Sequence, residues 1–268
     1  MKKVTSIVKA LIFFLMITLI TFLSLNFFIP RPSSYSSNIS KPKSIKYTAI
    51  GDSITYGIGD TNHNQGFVGA LKDRIEQEKG IHVTAHDFGY TGKTSNQIKK
   101  YIFTNRKLRK SVSEATFITF NMGGNDVIYK IQNNFFNLSK KNFEPQKRIY
   151  QKNLLESLQE IRTINSQAKI IVLGIYNPFY FVFDQITDLN ELFSEWNEIT
   201  FNTVKKISNA HYQDINLLLN NSKAKKKVNG KTINKYLSED DDVHPNGLGY
   251  GVIANSLYIY LDKSKIIR

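Results

Sequence analysis

Residues 45–55 read IKYTAIGDSIT, and this stretch decides how the chain folds. Ile45 to Ile50 is a short strand candidate that runs directly into a turn of glycine, aspartate and serine. In open parallel sheets, ligand crevices form at the carboxyl ends of the strands. A strand that ends just before Ser53 therefore predicts that this serine lies in the ligand crevice at the carboxyl edge of the sheet.

Strand-like and helix-like segments alternate along the rest of the chain. Further strands are predicted at His82–Phe88, Ala115–Asn121, Lys169–Ile175 and His211–Ile215. Helices are predicted at Phe67–Lys79, Ser95–Ile102, Arg148–Ile164, Leu189–Ile207 and Asn246–Leu261. Alternation of this kind is typical of an α/β protein, in which a parallel sheet is covered by helices on both faces.

Three short segments, far apart in the chain, contain the residue types of nucleophilic acyl transfer. Ser53 supplies an oxygen nucleophile, and Asn125 lies in the turn that follows a predicted strand. Near the end of the chain, Asp241 stands three residues before His244. Such chemistry needs a base for the serine proton, a carboxylate that orients the base, and donors for an oxyanion. Each segment alone is ordinary loop composition, so the hypothesis depends on their combination.

Other carboxylates lie close to these residues. Asp242 is a rival to Asp241, but its spacing of two residues from His244 is less suitable for one loop that presents both groups. We interpret Asp126 as a residue that caps or braces its turn. Asp52 is interpreted as structural, with a proton-handling role as the alternative.

From about Ile45 to Leu261, the chain resembles the GDSL, or SGNH, hydrolases. The resemblance lies in four blocks of sequence, which here read Gly51-Asp52-Ser53-Ile54-Thr55, Gly89-Tyr90-Thr91-Gly92-Lys93-Thr94, Gly123-Gly124-Asn125-Asp126 and Asp241-Asp242-Val243-His244-Pro245. The first block has isoleucine where the family name has leucine, which is a chemically neutral change.

The resemblance implies a three-layer α/β/α, flavodoxin-like fold with a central parallel sheet. It also implies a catalytic triad of Ser53, Asp241 and His244. The implied oxyanion hole consists of the backbone N–H groups of Ser53 and Gly92 and the side-chain amide of Asn125. In the second block, Gly89 competes with Gly92 for the family's glycine position.

Residues 176–183 contain five aromatic side chains in a loop after a predicted strand. Exposed aromatic residues at such density are costly, so they are predicted either to line an acyl site or to pack as a flap. The candidate substrate-binding residues are Tyr176, Phe179, Tyr180 and Phe181. Ordinary core packing beneath the loop is the alternative. Residues 133–143 are a candidate second wall or lid.

The N-terminal residues predict a membrane segment. Ala10 to Ile29 is an uncharged, mostly apolar run, and as a helix it spans about 30 Å, the thickness of the bilayer hydrocarbon. Preceding lysines favour an N-terminus on the inside. A cleavable signal peptide, which would release a secreted protein, is the alternative, although no small-residue cleavage site is evident. A buried soluble helix is a third, weaker interpretation.

The chain is therefore divided into a signal anchor (1–29), a linker rich in proline and serine (30–44) and a hydrolase domain (45–268). A single-pass cell-membrane protein is expected, with its catalytic domain outside the cytoplasm.

Composition excludes several classes of function. The sequence contains no cysteine, so disulfides, thiolate catalysis and cysteine-ligated zinc are excluded. No histidine spacing suits a metal, and neither a P-loop nor a Rossmann glycine fingerprint is present, so no cofactor is expected. The net charge of +14 suggests an anionic partner or a solvated basic face, but no nucleic-acid motif accompanies it.

The sequence thus predicts a serine esterase or lipase-like acylhydrolase that cleaves carboxylic esters of lipid or short acyl substrates through an acyl-enzyme. One alternative is an O-acetyl esterase that acts on envelope polysaccharide or peptidoglycan. The alternative from another class is a non-catalytic cell-surface binding module that retains the fold.

Overall fold

The computed structural model describes residues 44–133, 140–182 and 187–268, together with Met16. Five parallel strands form the central sheet in the order β2-β1-β3-β4-β5. Their bounds are β1 (Ser44–Gly51), β2 (His82–Gly89), β3 (Phe117–Phe120), β4 (Lys169–Leu173) and β5 (Ala210–Gln213). This strand order is that of flavodoxin-like sheets, whose ligand crevice opens between β1 and β3. The predicted α/β fold with a central parallel sheet is confirmed.

Helices connect the strands and cover the sheet. Those of the described residues are α1 (Ser53–Tyr56), α2 (Gly66–Lys79), α3 (Ser95–Thr104), α4 (Arg106–Glu114), α5 (Gly124–Asn133), α6 (Glu144–Ile164), α7 (Thr187–Val204), α8 (Asn216–Leu219) and α9 (Gly247–Lys263). Short 3₁₀ turns occupy Lys140–Asn142 and Ser222–Ala224.

The core has two halves, one on each face of the sheet, because neighbouring residues of a strand point to opposite faces. On β4, Ile170 and Val172 pack in the half that contains α3 to α7, whereas Ile171 and Leu173 pack in the half that contains α2 and α9. The three-layer α/β/α arrangement follows from these two apolar faces.

Strand β4 is shorter than predicted because a side chain takes over the backbone partners beyond its end. The sequence predicts β4 as far as Ile175, but the N–H and carbonyl of that residue bond to the side chain of Asn197 instead of a neighbouring strand. Strands β3 and β5 also end earlier than predicted, at Phe120 and Gln213. The backbone N–H of Asn121 still donates to the carbonyl of Ile50 at 3.0 Å, and its side chain enters a polar network described below.

A second, two-stranded antiparallel sheet lies outside the central one and was not predicted. It consists of β6 (Lys225–Val228) and β7 (Lys231–Asn234). Asn229 and Gly230 connect the strands with φ angles of 50° and 78°. Positive φ at both central residues is the requirement of a tight type I′ hairpin turn, for which Asn-Gly is the preferred sequence.

The predicted membrane segment Ala10–Ile29 lies outside the described residues except for Met16, and the predicted linker 30–44 does so except for Ser44. In the part of the chain that the structure describes, no helix is long and apolar enough to cross a bilayer. Of the candidate lid 133–143, residues 134–139 lie outside the described part, and Phe143 is fully buried.

Candidate active site

The nucleophile candidate stands at the start of a short helix directly after β1. Asp52 caps this helix, because its carboxylate accepts the backbone N–H of Ile54 at 3.0 Å. The helix ends after one turn at Gly57, which has a left-handed φ of 87°. Ser53 is only 7% exposed, and its side chain lines a cavity at the carboxyl edge of the sheet.

His244 and Asp241 approach Ser53 from the loop before α9. The Nε2 atom of His244 lies 2.9 Å from Ser53 Oγ, and its Nδ1 atom lies 2.5 Å from Asp241 Oδ2. The other carboxylate oxygen of Asp241 accepts the backbone N–H groups of Val243 and His244, each at 2.9 Å. The structure therefore joins the three predicted triad residues in the order serine, histidine, aspartate.

The environment of Asp241 keeps its carboxylate ionised. Partial burial raises its pKa, but the hydrogen bonds from the His244 ring and from two backbone N–H groups outweigh burial, so the pKa is lowered overall. The rival Asp242 has a left-handed φ of 53° and lines a separate cavity. The structure thus brings Asp241, and not Asp242, to the histidine.

A buried polar network supports the turn that carries Ser53. Asn121 donates an amide hydrogen to Asp52 at 2.8 Å and accepts the hydroxyl of Thr55. Gly51 is required here, since a Cβ at this position would lie 1.8 Å from Asn121 Oδ1. Burial raises the pKa of Asp52, against the hydrogen bonds from Ile54 and Asn121, which lower it. These contacts support the structural interpretation of Asp52.

The sequence-based reasoning missed Asn121 as a member of the site. Its signal is a polar residue at the end of an otherwise apolar strand, which indicates a side chain with a specific partner.

Asn125 lies beside the nucleophile, at the start of α5, and its side chain lines the same cavity as Ser53. Its amide donates one hydrogen to the carbonyl of Lys93 at 3.0 Å. A carboxamide has two N–H donors, so this bond fixes the side chain and leaves the second donor available to an oxyanion.

The two glycine candidates of the second block differ in their environment. Gly92 lies in the loop after β2 with a left-handed φ of 71°, and its carbonyl accepts the hydroxyl of Tyr129 at 3.0 Å. Gly89 is the last residue of β2, and a Cβ there would lie 2.3 Å from the backbone nitrogen of Tyr56. Gly89 therefore allows a close backbone approach, whereas Gly92 shapes the loop that also holds Asn125 through Lys93. Gly92 does not appear among the described residues that line the cavity.

Asp126, which follows Asn125, braces the neighbouring helix. Its two carboxylate oxygens accept the N–H and the hydroxyl of Ser95, both at 2.7 Å, and one of them also accepts the amide of Gln146 at 2.9 Å. Burial raises the pKa of Asp126 despite these bonds. Its contacts agree with the predicted bracing role.

The cavity beside the triad has a volume of about 330 Å³. Its apolar wall comes largely from residues that the sequence did not single out, including Ile128, Ile175, Phe193 and Ile215. Polar groups are concentrated at the triad, at Asn125 and at Gln132. The arrangement suits a substrate with an apolar portion and one reactive polar group.

Of the four predicted substrate-binding residues, the structure places one in this cavity. Tyr176 lines the wall, together with its neighbour Pro178. Phe179 packs against the core, as the alternative interpretation predicts. Tyr180 and Phe181 contact each other edge to face, with ring centroids 5.1 Å apart, and do not appear among the described lining residues.

Tyr176 also contacts the backbone of the catalytic loop. It is 7% exposed, and its hydroxyl donates to the carbonyl of Val243. This carbonyl belongs to the same peptide unit as the His244 N–H, which donates to Asp241. The next carbonyl, that of His244, accepts the N–H of Ser238 at 2.7 Å. Both peptide units next to the histidine are therefore held in place, one of them by Tyr176.

Replacement of Tyr176 by phenylalanine keeps the aromatic wall and removes the hydroxyl. A neutral hydrogen bond contributes about 0.5–1.5 kcal/mol, so we expect kcat of Tyr176→Phe to fall about two- to ten-fold, with KM nearly unchanged. Steady-state kinetics on a soluble ester measure both constants, and Tyr180→Phe serves as the control. A higher KM at constant kcat would instead assign the hydroxyl to substrate binding.

In the described part of the chain, no group of three or more histidine, cysteine, aspartate or glutamate side chains has an arrangement that could hold a metal ion. The described site consists of a serine, a histidine and a carboxylate in hydrogen-bonded order, beside a candidate amide donor. This arrangement can perform acyl transfer and belongs to the class of serine hydrolases.

Comparison with known proteins agrees with this class. A model of the GDSL-like lipase/acylhydrolase family matches residues 49–252, so the chain belongs to that family and is an ester-bond hydrolase. The chain is 30% identical to the "uncharacterized protein YpmR" of Bacillus subtilis (strain 168), over 82% of each chain. It is 25% identical to the spore germination lipase LipC of Bacillus licheniformis, over 80% of this chain and 94% of the relative.

Solved structures show the same fold. The lipase Lip_vut3 from a goat rumen metagenome has a TM-score of 0.68 and 24% identity, with 80% of this chain and 96% of that chain covered. A variant of Axe2, an acetyl xylan esterase from Geobacillus stearothermophilus, has a TM-score of 0.60 and 16% identity, with 84% and 95% covered.

Proposed function

We propose that the protein is a serine esterase of the lipase type, which cleaves carboxylic esters of lipid or short acyl substrates through an acyl-enzyme. One observation carries the proposal: the hydrogen-bonded chain from Ser53 through His244 to Asp241 opens onto a largely apolar cavity. The three hydrogen-bonded residues provide the nucleophile, its base and the carboxylate that orients the base. The cavity provides an apolar site for the acyl group.

In the first half of the reaction, Nε2 of His244 accepts the proton of Ser53 as Oγ attacks the ester carbonyl. Asp241 holds the imidazole in the required tautomer and stabilises the imidazolium that forms. The oxyanion accepts hydrogen bonds from Asn125 and from the backbone N–H group of Ser53, and the resemblance to the family adds the backbone N–H group of Gly92. Collapse of the tetrahedral intermediate breaks the ester C–O bond, and His244 gives its proton to the leaving alcohol.

In the second half, a water molecule attacks the acyl-enzyme. His244 takes a proton from this water and gives it to Ser53 Oγ as the bond between Oγ and the acyl carbon breaks, which releases a carboxylic acid and restores the free serine. The sequence of steps needs no metal or organic cofactor, since every proton passes through the histidine.

A second candidate function is removal of O-acetyl groups from envelope polysaccharide or peptidoglycan. Gln132 and the exposed side of Tyr129 favour it, because they offer polar contacts on the wall of the cavity. The fold is also shared with acetyl xylan esterases. The third reading, a binding module without activity, has no use for an assembled triad, and family membership argues against it.

A chain-length panel of p-nitrophenyl esters from acetate to dodecanoate, together with an acetylated oligosaccharide, tests the proposal. We expect kcat/KM to be larger for esters with more than about four acyl carbons than for the acetate, since each buried methylene contributes about 0.8 kcal/mol. A preference for the acetylated sugar over every aliphatic ester would favour the second candidate. Absence of turnover on the whole panel would contradict both functions.

We also propose that the hydrolase domain is held outside the cytoplasm by the segment Ala10–Ile29. The length of this apolar run, the lysines before it and the lack of a small-residue cleavage site support an uncleaved anchor. Membrane fractionation with intact-mass analysis tests this idea. A soluble extracellular form that begins near Ser33 would replace the anchor with a cleaved signal peptide.

A further inference from the structure

A strongly basic surface lies outside the active site, on the hairpin of β6 and β7. Between Ser222 and Ser238 the sequence contains six lysines and no acidic residue. We call the segment that carries them, residues 223–235, the lysine hairpin; its lysines are Lys223, Lys225, Lys226, Lys227, Lys231 and Lys235. The first five are exposed, and the last is partly exposed.

The charges of the lysine hairpin are not neutralised by neighbouring carboxylates. Within the described residues, none of its six ammonium groups has a carboxylate oxygen within 4.0 Å; Lys235 lies over the ring of Tyr236, 5.3 Å from its centroid. The other basic cluster of the chain, on α3 and α4, differs. There, Lys99 pairs with Glu156 and Arg109 pairs with Glu160. The lysine hairpin thus carries a cluster of positive charges that no ion pair among the described residues neutralises.

The shape of the hairpin suits contact with a surface. Its tip carries Val228, which is 38% exposed, next to the turn residues Asn229 and Gly230. Lys227 precedes this tip and Lys231 follows it, so a partly exposed apolar residue lies between lysines along the hairpin. All six cations are lysines, which act as hydrated point charges and lack the planar fork with which arginine recognises a single phosphate. This combination favours a charged interface over a specific phosphate site.

The hairpin is attached firmly to the rest of the domain. The side chain of Asn234 donates to the carbonyl of Leu219 at 2.9 Å and to Asn220 Oδ1 at 3.1 Å. After the hairpin, the amide of Asn246 donates to the carbonyls of Lys235 and Leu237, at 2.9 and 2.8 Å. A partner on the hairpin would therefore meet a fixed surface.

Further contacts connect the lysine hairpin to the catalytic loop, which carries Asp241 and His244. Leu237 forms a β-bridge with Pro245, the residue after His244. Lys226 and Lys235 line a cavity with Leu248 and with Asp242, the neighbour of Asp241. Glu239 also contributes a carboxylate to this cavity, whereas Lys223, Lys225, Lys227 and Lys231 do not appear among its described lining residues.

From these observations we propose that the lysine hairpin docks on a bilayer of anionic phospholipid, with Val228 at the level of the headgroups. Docking would hold the catalytic loop next to the lipid surface. An apolar tip among lysines suits a bilayer better than a dissolved polyanion, which offers no apolar region to the tip.

The absence of cysteine allows a direct test on the full-length chain. Val228→Cys places a single thiol at the tip, where an environment-sensitive fluorophore reports contact with lipid. The labelled chain is reconstituted in vesicles of phosphatidylcholine alone or with about 30% phosphatidylglycerol. We expect a blue shift only with phosphatidylglycerol, and its reversal in about 0.5 M NaCl, because salt screens exposed charges. This readout does not depend on hydrolysis, so it can fail while the proposed esterase activity stands.

Two triple variants with the same change in net charge then show whether docking depends on the position of the lysines. Each lysine near an anionic surface strengthens partitioning about five-fold, so Lys225→Gln, Lys227→Gln and Lys231→Gln together should lower the docked-to-undocked ratio about 100-fold. The control carries Lys100→Gln, Lys107→Gln and Lys110→Gln, which remove the same charge from exposed positions on α3 and α4.

The hypothesis is overturned if the tip shows no shift on anionic vesicles, or if both triple variants lose the shift equally. A shift caused by soluble poly(glycerol phosphate) but not by vesicles would assign the hairpin to a dissolved polymer. If the hairpin variant fails to fold, the salt dependence of the labelled chain with its lysines intact still decides the question.

Discussion

Ser53→Ala should abolish ester hydrolysis, with a loss in kcat on the order of 10⁶-fold, as when a triad serine is removed from a protease. The physical reason is that Oγ is the atom that forms the bond to the acyl carbon, and no other hydroxyl among the described contacts lies against Nε2 of His244. Steady-state kinetics on the best ester of the panel provide the measurement.

A serine-directed fluorophosphonate gives an independent readout of the same residue. The unmodified enzyme should be labelled once, at Ser53, and Ser53→Ala should not be labelled. Ser113→Ala, at an exposed serine of α4, is the control and should keep both activity and labelling. Stoichiometric labelling at a different serine would show that the nucleophile has been assigned wrongly.

Asp241→Asn should produce the second largest effect, with kcat reduced by about 10⁴-fold, as for the same change in a protease triad. Asparagine keeps the shape of the side chain, but its amide can favour the wrong tautomer of His244 and cannot stabilise the imidazolium. Asp242→Asn is the matched control, because asparagine tolerates the left-handed φ of 53° at this position. Its activity should change by less than about five-fold, since an exposed carboxylate near a cation contributes about 1 kcal/mol or less. Equal losses in both variants, or a larger loss in Asp242→Asn, would reverse the assignment.

The pH dependence of kcat/KM gives a second test of the roles of Asp241 and His244. In the unmodified enzyme, kcat/KM should rise from acid to neutral pH, because only a neutral imidazole can accept the proton of the serine. The pKa of Asp241 is lowered in the folded protein, so this carboxylate stays ionised throughout that rise.

The lowered pKa also sets the sign of a stability effect. A carboxylate whose folded pKa lies below its unfolded pKa stabilises the fold above the unfolded value, and this stability is lost as pH falls through the folded value. The stability gap between the unmodified enzyme and Asp241→Asn should therefore be present at neutral pH and close in acid. Denaturant unfolding over a pH series measures it, and a gap that widens in acid would contradict the ionised state.

The main architecture could be predicted from sequence because its signals are local. The five strands of the central sheet are short apolar runs bounded by turns, and each appears within two residues of its predicted ends. The triad could be predicted for a similar reason, since strand ends and the three-residue spacing of Asp241 and His244 are visible in the sequence.

The parts that were missed depend on tertiary contacts or on weak local signals. The apolar wall of the cavity includes Ile128, Phe193 and Ile215, which come from separate elements. Each of these residues alone looks like an ordinary core position. The hairpin had a usable signal in Asn229-Gly230, but its strands are lysine-rich and lack the apolar alternation by which strands are recognised. Tyr176 was expected at the substrate site and does line the cavity, but the hydrogen bond from its hydroxyl to the backbone of the catalytic loop has no sequence signal.

The separation of the triad along the chain has a consequence for the order of folding. Ser53 and His244 are 191 residues apart, and the helix that follows His244 packs against α2, the second helix after the nucleophile. Loop closure over such a distance comes late, because its entropic cost must be met before the contact contributes. During synthesis the N-terminal side of a chain leaves the ribosome first, so the nucleophile exists without its base while the 191 residues up to His244 are made. The enzyme therefore becomes competent only after His244 has been made and has packed against Ser53, and chains that stop before His244 cannot attack esters.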